Sequence, residues 1–477
     1  MESIWMKTCE KENYPVLKNH IQADVVVIGG GMAGILIAWY LGQSGVRAVV
    51  LEADQIGGGQ TKNTTAKITS QHGMFCHTFI EKKGEETARK YVQANQIAVE
   101  EYKRIIHKEH IDCDWTEMDA YVYSKDKKKI MQEIEAANKL GICAVFEKQI
   151  EVPVDCAGGV CFPNQAQFHP LKFIKALAKQ ITIYEDTQVM EVEDNLVKTT
   201  YGSVKAGKII FATHFPIIDF PGMYFARMHQ ERSYVLALKN AGQLKGMYIG
   251  DEESTLSFRQ YDQYILLGGQ AHRTGDGMDS AHYEKLKKAA KELYPQSSVM
   301  MHWSAQDCIT TDKIPFIGQY AGNHPDWFVA TGFQKWGMSS SMVSAMLLKD
   351  VICGIENPFA EIFQSSRFSS EEIPQLVKES GKAIKGLTKR FFHIPKETTD
   401  DLKCGCGAIV ETSQGKVGIY KTKEEAICQV DIVCPHMGCE LTWNTEECSW
   451  DCPCHGSRFD YEGNLLDGPA QKGIKRT

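Results

Sequence analysis

The sequence predicts a three-part chain: a doubly wound α/β unit, an α+β portion in the middle, and a small all-β C-terminal domain. Three observations predict it. A strand, glycine loop, helix and second strand follow one another near the N-terminus. Strand-like and helical runs then alternate up to about residue 356. After Pro395 short β-like runs take over, and the last 74 residues hold eight of the 16 cysteines. The chain has 477 residues and 43% hydrophobic side chains, enough to bury roughly 75% of the surface its unfolded form exposes and to build two to four cores. Its 53 basic and 60 acidic groups leave a net charge of −7, so no long-range field gathers polyanions. Nucleic acid is excluded as a partner on that ground, and anionic membrane surfaces are disfavoured. Residues 1–9 lack the basic and apolar stretches of a secretory signal, and a cytoplasmic location is expected.

The first element is the most informative. Residues 25–46 carry no charge and are long enough to cross a bilayer, yet glycines and a flanking Asp24 divide them. Four branched residues (25–28) read as a strand, 32–41 as a helix, and the run ending at Glu52 as a second strand. An integral membrane segment is therefore not expected. The turn is Gly29-Gly30-Gly31-Met32-Ala33-Gly34, a G-x-G-x-x-G. Gly29 allows the tight turn, Gly31 lets backbone approach a pyrophosphate, and Gly34 brings helix and strand together. The pyrophosphate would rest on the free N–H groups of Met32 and Ala33 at the helix start, and Glu52, 23 residues after Gly29, would take the ribose hydroxyls. This is a Rossmann-type dinucleotide site. The sequence holds no second such unit, which favours bound FAD with hydride arriving from an organic substrate over reduction by NAD(P)H.

Further elements follow in order: helices over 85–107, 127–140 and 282–293, and strands over 208–211, 233–238 and 264–267. The segments 164–170, 209–214, 311–318 and 330–337, together with the glycine-loop unit, resemble the D-amino-acid oxidase-like family of FAD-dependent oxidoreductases, of the glycine oxidase and sarcosine oxidase type. The resemblance spans about the first 365 residues. It implies that Thr213 lies along the FAD, that Gly332, Phe333, Gly337 and Met338 stand near the isoalloxazine, and that the segment holding Thr65 and Lys67 leads to the flavin face. Lys67 would favour the anionic reduced ring. His72 is a candidate for a covalent flavin link, as in some relatives. It also implies a small amine or amino acid as substrate, and a carboxylate would want a cationic fork. Candidates are Arg232 with Tyr234, His272 with Arg273, and Lys335 with Trp336. No general base can be named.

In the tail, Cys434 and His436, then Cys452 and His455 after fifteen intervening residues, give C-x-H and C-x-x-H. Two thiolates and two imidazoles hold either one tetrahedral zinc or a [2Fe-2S] cluster, and spacing alone does not choose. Each loop offers one Cys and one His, which suits two irons better than a finger. The wider pattern resembles the Rieske ferredoxin domain from about residue 396 onward. That likeness implies a disulfide between Cys439 and Cys454, a proline loop at 467–470, and a hydrogen bond from Ser457 to a bridging sulfide. Phe459 stands where high-potential members carry a tyrosine, so a potential below the top of the range is expected.

The expected division is a flavin region over 1–365 (cofactor parts about 20–100, 160–215 and 301–365, substrate part about 216–300), a linker over 366–395 and the cluster domain over 396–477. The expected activity is dehydrogenation of a C–N bond by hydride transfer to FAD, with single electrons leaving through the cluster to an external acceptor. The imidazole-ligated iron is expected at an exposed loop tip that serves as the exit. Two other readings are a reductase that supplies an oxygenase from a soluble donor, and a non-enzymatic redox sensor or electron-transfer adaptor.

Overall fold

The computed structural model describes residues 2–252, 255–275, 281–367, 381, 402–413 and 415–476. Most of the linker expected over 366–395 lies outside the described residues.

The N-terminal strand His20–Ile28 is branched and apolar at its C-terminal end because both faces there are covered, as central parallel strands require. It pairs in parallel with Ser203–Phe211 on one side and Ala48–Leu51 on the other. The sheet continues to His324–Thr331 and Phe316–Ala321 at one edge and to Thr182–Tyr184 at the other. Helix Met32–Gln43 is apolar almost all round and buried from Met32 to Leu41. It lies against helix Gly337–Ile352, so the glycine loop and the 332–338 segment are brought to one end of the same sheet.

A second sheet of nine strands forms the α+β part. Four come from within 216–300: Met228–Lys239, Gly246–Gly250, Ser257–Tyr261 and Tyr264–Arg273. The others include Thr116–Ser124, Gly158–Gln167 and Ser298–Thr310, so this sheet also draws on residues outside the segment expected to bind substrate. Helix His282–Leu293 covers one face through Tyr283, Leu286 and Ala290.

The C-terminal region is all β, with a three-stranded sheet (Gly407–Thr412, Gly415–Lys421, Ile427–Val430) and a four-stranded one (Thr442–Asn444, Ser449–Asp451, Arg458–Asp460, Leu465–Asp467). Trp450 and Phe459 are fully buried in one core with Cys434, Cys439, Cys452 and Cys454. Among the described residues no helix is long and apolar enough to cross a membrane.

Candidate active site and cluster centre

A cavity of about 900 Å³ runs from the glycine loop to the second sheet. Its first wall is the glycine loop itself. Gly29 has φ +107°, and a Cβ there would come within 2.5 Å of the Ala212 carbonyl oxygen. Gly34 does not line the cavity; a Cβ on it would strike the Gly29 carbonyl at 1.9 Å, so it acts by close packing. The Met32 N–H is not free as expected, since it donates to Thr61 Oγ1 at 2.9 Å, and the Gly30 N–H donates to Glu52 Oε2 at 2.6 Å, which holds the carboxylate at the strand end. Burial pushes the Glu52 carboxyl above its ordinary range.

Farther in, Thr65, Lys67, Thr213, Phe333, Gly337 and Met338 line this cavity together with Gly29, Gly31, Met32, Ala33 and Glu52. Gly332 does not; at φ +71° it turns the chain behind Phe333. Lys67 lies near Thr65 and Ser257 hydroxyls at 3.3 Å. Enclosure by protein, with repulsion from the Arg259 guanidinium, brings its ammonium down to about 7. An unfolded lysine keeps its proton to about 10.5, so between pH 7 and 10.5 the unfolded chain binds one more proton and stability rises with pH. Melting temperatures of the FAD-free protein should therefore climb over that window, and Lys67→Met should flatten the climb. Equal slopes would contradict the assignment.

The candidate cations are distributed differently from expectation. Arg232 is 2% exposed and does not line the cavity; it is bonded to Glu447, Ser304 and Gln306. It does not serve as a substrate fork, because both of its terminal amino groups are engaged away from the cavity, one of them on Glu447 of the C-terminal domain. Arg273 donates to the Cys454 carbonyl at 3.1 Å, and His272 stacks on His282 at 4.0 Å. Tyr234 does line the cavity, and its buried hydroxyl has no partner among the described residues. Lys335 lines it too, paired with Glu231 at 3.2 Å, while Trp336 stands beside it. His72 lies outside the lining with both ring nitrogens engaged, by Tyr91 at 2.9 Å and Ser339 at 2.8 Å, and burial brings its imidazole down to about 3. These contacts give it a structural role.

Several residues were not singled out in the sequence. Asp307 lines the cavity, and burial, opposed by Lys335 and reinforced by Glu231, raises its carboxyl to about 7. Arg259 is fully buried, donating to the carbonyls of Thr65 and Phe168 and to Gln167 Oε1. Both sit on strands where inward and outward positions alternate, but only their cross-strand neighbours reveal what they face.

The second centre is built by the loops 434–439 and 452–457. The Cys434 and Cys452 thiols are buried and in hydrogen-bond contact. The His436 and His455 rings stand 4.9 Å apart at 90°, each with a buried Nδ1 that has no partner among the described residues. Two neighbouring thiols and two orphaned ring nitrogens are the donor set a mixed-ligand iron pair requires. Cys439 and Cys454 are joined in a disulfide that ties the two loops together. Cys452 Sγ lies within 4.8 Å of those sulfurs, which are spent in their bond and offer no thiolate. Ser457 Oγ accepts the Ala470 N–H at 3.0 Å, and Phe459 contributes no hydroxyl.

The histidine end does not face solvent, and the expected exposed exit is corrected here. The His436 side chain is 6% exposed and its Nε2 meets Asp219 Oδ1 at 2.9 Å. His455 is 4% exposed, with its ring edge against Phe225 at 5.8 Å. Both partners belong to the first part of the chain. Gln230 Nε2 donates to the His455 carbonyl at 2.7 Å and to the Gly468 carbonyl at 2.9 Å, and Gly468 lines the cavity. The side chain of His214, another lining residue, lies beside Gln230. One glutamine thus joins the cavity wall to His455, an expected cluster ligand.

Comparison with known proteins agrees with this two-centre arrangement. Residues 24–351 match the model of the family described as "DAO: FAD dependent oxidoreductase", and residues 394–477 match that of the Rieske [2Fe-2S] domain. YhfW of Bacillus subtilis (strain 168), a protein named for a Rieske 2Fe-2S centre, is 38% identical over 100% of this chain and 97% of its own length. The gamma-glutamylputrescine oxidoreductase of Escherichia coli (strain K12) is 26% identical, over 72% of this chain and 86% of that protein. In fold, glycine oxidase from Geobacillus kaustophilus superposes with a TM-score of 0.62 at 17% identity, covering 73% of this chain and all of that one. L-proline dehydrogenase from P. horikoshii gives 0.63 at 20% identity, covering 74% and 98%. The chain belongs to the DAO family of FAD-dependent oxidoreductases and carries a C-terminal Rieske [2Fe-2S] domain.

Proposed function

We propose that the protein is an amine dehydrogenase that oxidises a C–N bond and delivers the electrons singly through its own Rieske centre to an external acceptor, in the cytoplasm. The reading is carried by one observation: Gln230 links the cavity wall at Gly468 to the cluster ligand His455. When bound, FAD supplies a two-electron hydride acceptor and the [2Fe-2S] cluster a one-electron carrier.

The residues of the chain divide the remaining work. Gly29, Gly31 and the helix start hold the pyrophosphate, and Glu52 orients the ribose end. Lys67 stands where a proton or positive charge can balance a reduced ring. Among the described residues no arginine lines the cavity; its lysines are Lys67, Lys313 and Lys335, the last paired with Glu231, and Asp251 is paired with Lys129, which leaves the carboxyls of Glu252 and Asp307 facing it. This lining favours a cationic amine over an α-amino acid held by its carboxylate. Asp307, with its carboxyl at about 7, is suited to take the proton that an ammonium must lose before its carbon can surrender hydride. Tyr234 and Trp336 flank the substrate with aromatic surface.

The test is an anaerobic titration with primary and N-alkylated amines, α-amino acids and NADH. Flavin bleaching by the amines first, followed by the reduced-cluster EPR signal, is expected. Bleaching by NADH alone would replace this reading with a reductase, and no bleaching by any donor would replace it with a sensor or adaptor.

A further inference from the structure

The cavity that begins at Gly29 and Glu52 has a wall from the other end of the chain. Gly468, Pro469, Ala470 and Gln471, the proline loop of the cluster domain, line it beside Thr187 and Gln188. Glu52 reaches the same place, since the Thr187 N–H donates to its backbone carbonyl at 2.8 Å. The loop is tied down on both sides. Gln188 Nε2 donates to the Gln471 carbonyl at 2.6 Å, and Gln471 Nε2 donates in turn to the Ile217 carbonyl. Gln60 Nε2 reaches Asp467 Oδ1 at 2.8 Å. From within its own domain the loop is pinned by the Ala470 N–H on Ser457 Oγ.

We infer that residues 468–471 of the Rieske domain are part of the FAD site, closing it on the side of the glycine loop and Glu52. The inference rests on the FAD reading above. The cluster domain thereby has a second role, because it retains the flavin as well as carrying electrons away from it. Because Ser457 stands between the cluster loop and Ala470, and because linked equilibria are reciprocal, FAD binding also favours the docked position of that domain.

Two measurements on the full-length protein test it. Hydrogen exchange of holoprotein is compared with that of protein stripped of FAD but retaining its cluster. Slower exchange is expected with FAD at 29–34 and also at 465–471. Gln471→Ala, which removes the tether to Ile217 and leaves every proposed cluster ligand in place, should release FAD about tenfold faster on dilution, as loss of one partly buried hydrogen bond predicts. The exposed neighbour variant Lys472→Ala should release it at the wild-type rate, with both variants keeping the wild-type EPR spectrum. Protection at 29–34 without protection at 465–471, or a wild-type release rate in Gln471→Ala, overturns the inference and leaves the FAD reading standing. Absence of FAD-dependent protection at 29–34 would sink both.

Discussion

Replacing Cys452 by serine should leave an enzyme that takes hydride from its substrate and then stalls. The substitution removes one of the four proposed cluster donors, and the sulfurs nearest Cys452, those of Cys439 and Cys454, are spent in their disulfide and cannot replace it. Loss of a partner one shell out from a metal already costs about 10- to 100-fold in affinity or activity, so turnover with a one-electron acceptor should fall by more than about 100-fold. Flavin reduction in a single anaerobic turnover should continue, since Lys67, Asp307 and the glycine loop are untouched. Stopped-flow absorbance with and without ferricenium as acceptor separates the two half-reactions. Equal losses in both would mean that the cluster serves structure and not electron passage.

Glu447→Ala should be the most destabilising single change at the contact between the two parts. The Glu447 side chain is 4% exposed and lies between Arg232 at 2% and Arg458 at 8%. It bonds both guanidinium groups, the second at 2.7 Å, and accepts from the Ser304 hydroxyl as well. Burial alone would raise its carboxyl, but the two arginines hold it down at about 2. A folded-state value below the unfolded 4.5 means stability that is fully present above pH 4.5 and lost as pH falls through about 2. Removing the carboxylate leaves Asp467, at 3.8 Å, as the remaining acid beside Arg232 among the described residues, and breaking such a buried pair costs about 3–5 kcal/mol. Urea denaturation should register that loss, and flavin-to-cluster transfer should slow because Arg232 no longer holds the 442–451 hairpin. A change below about 0.5 kcal/mol would place the pair among surface contacts.

What the sequence made legible was local. The glycine loop and the cluster ligands are short spacings whose chemistry depends on neighbours a few residues away, so G-x-G-x-x-G with Glu52 and the C-x-H and C-x-x-H loops could be read without tertiary information. The role of Arg232 could not. Its partner Glu447 is 215 positions distant, and an arginine on a strand next to Tyr234 reads equally well as a substrate fork until the opposing domain is in place. Asp219 and Gln230 were illegible for the same reason, since each matters through contacts with the C-terminal domain more than 200 positions away. The direction faced by His436 and His455 follows from docking and not from spacing, which is why a solvent-facing tip was expected and an inward-facing one is found. Asp307 escaped because an acid on a β-strand reads as a surface residue unless its burial is known.

The two centres are tied by Gln230, by the proline loop and by the Glu447 network, so electrons should cross within one molecule. Anaerobic mixing with an amine substrate, followed by flavin absorbance and freeze-quenched EPR at several protein concentrations, measures this directly. The account predicts flavin bleaching followed by cluster reduction at a rate independent of protein concentration. A cluster that stays oxidised beside a bleached flavin, or is reduced at a rate proportional to concentration, would contradict it.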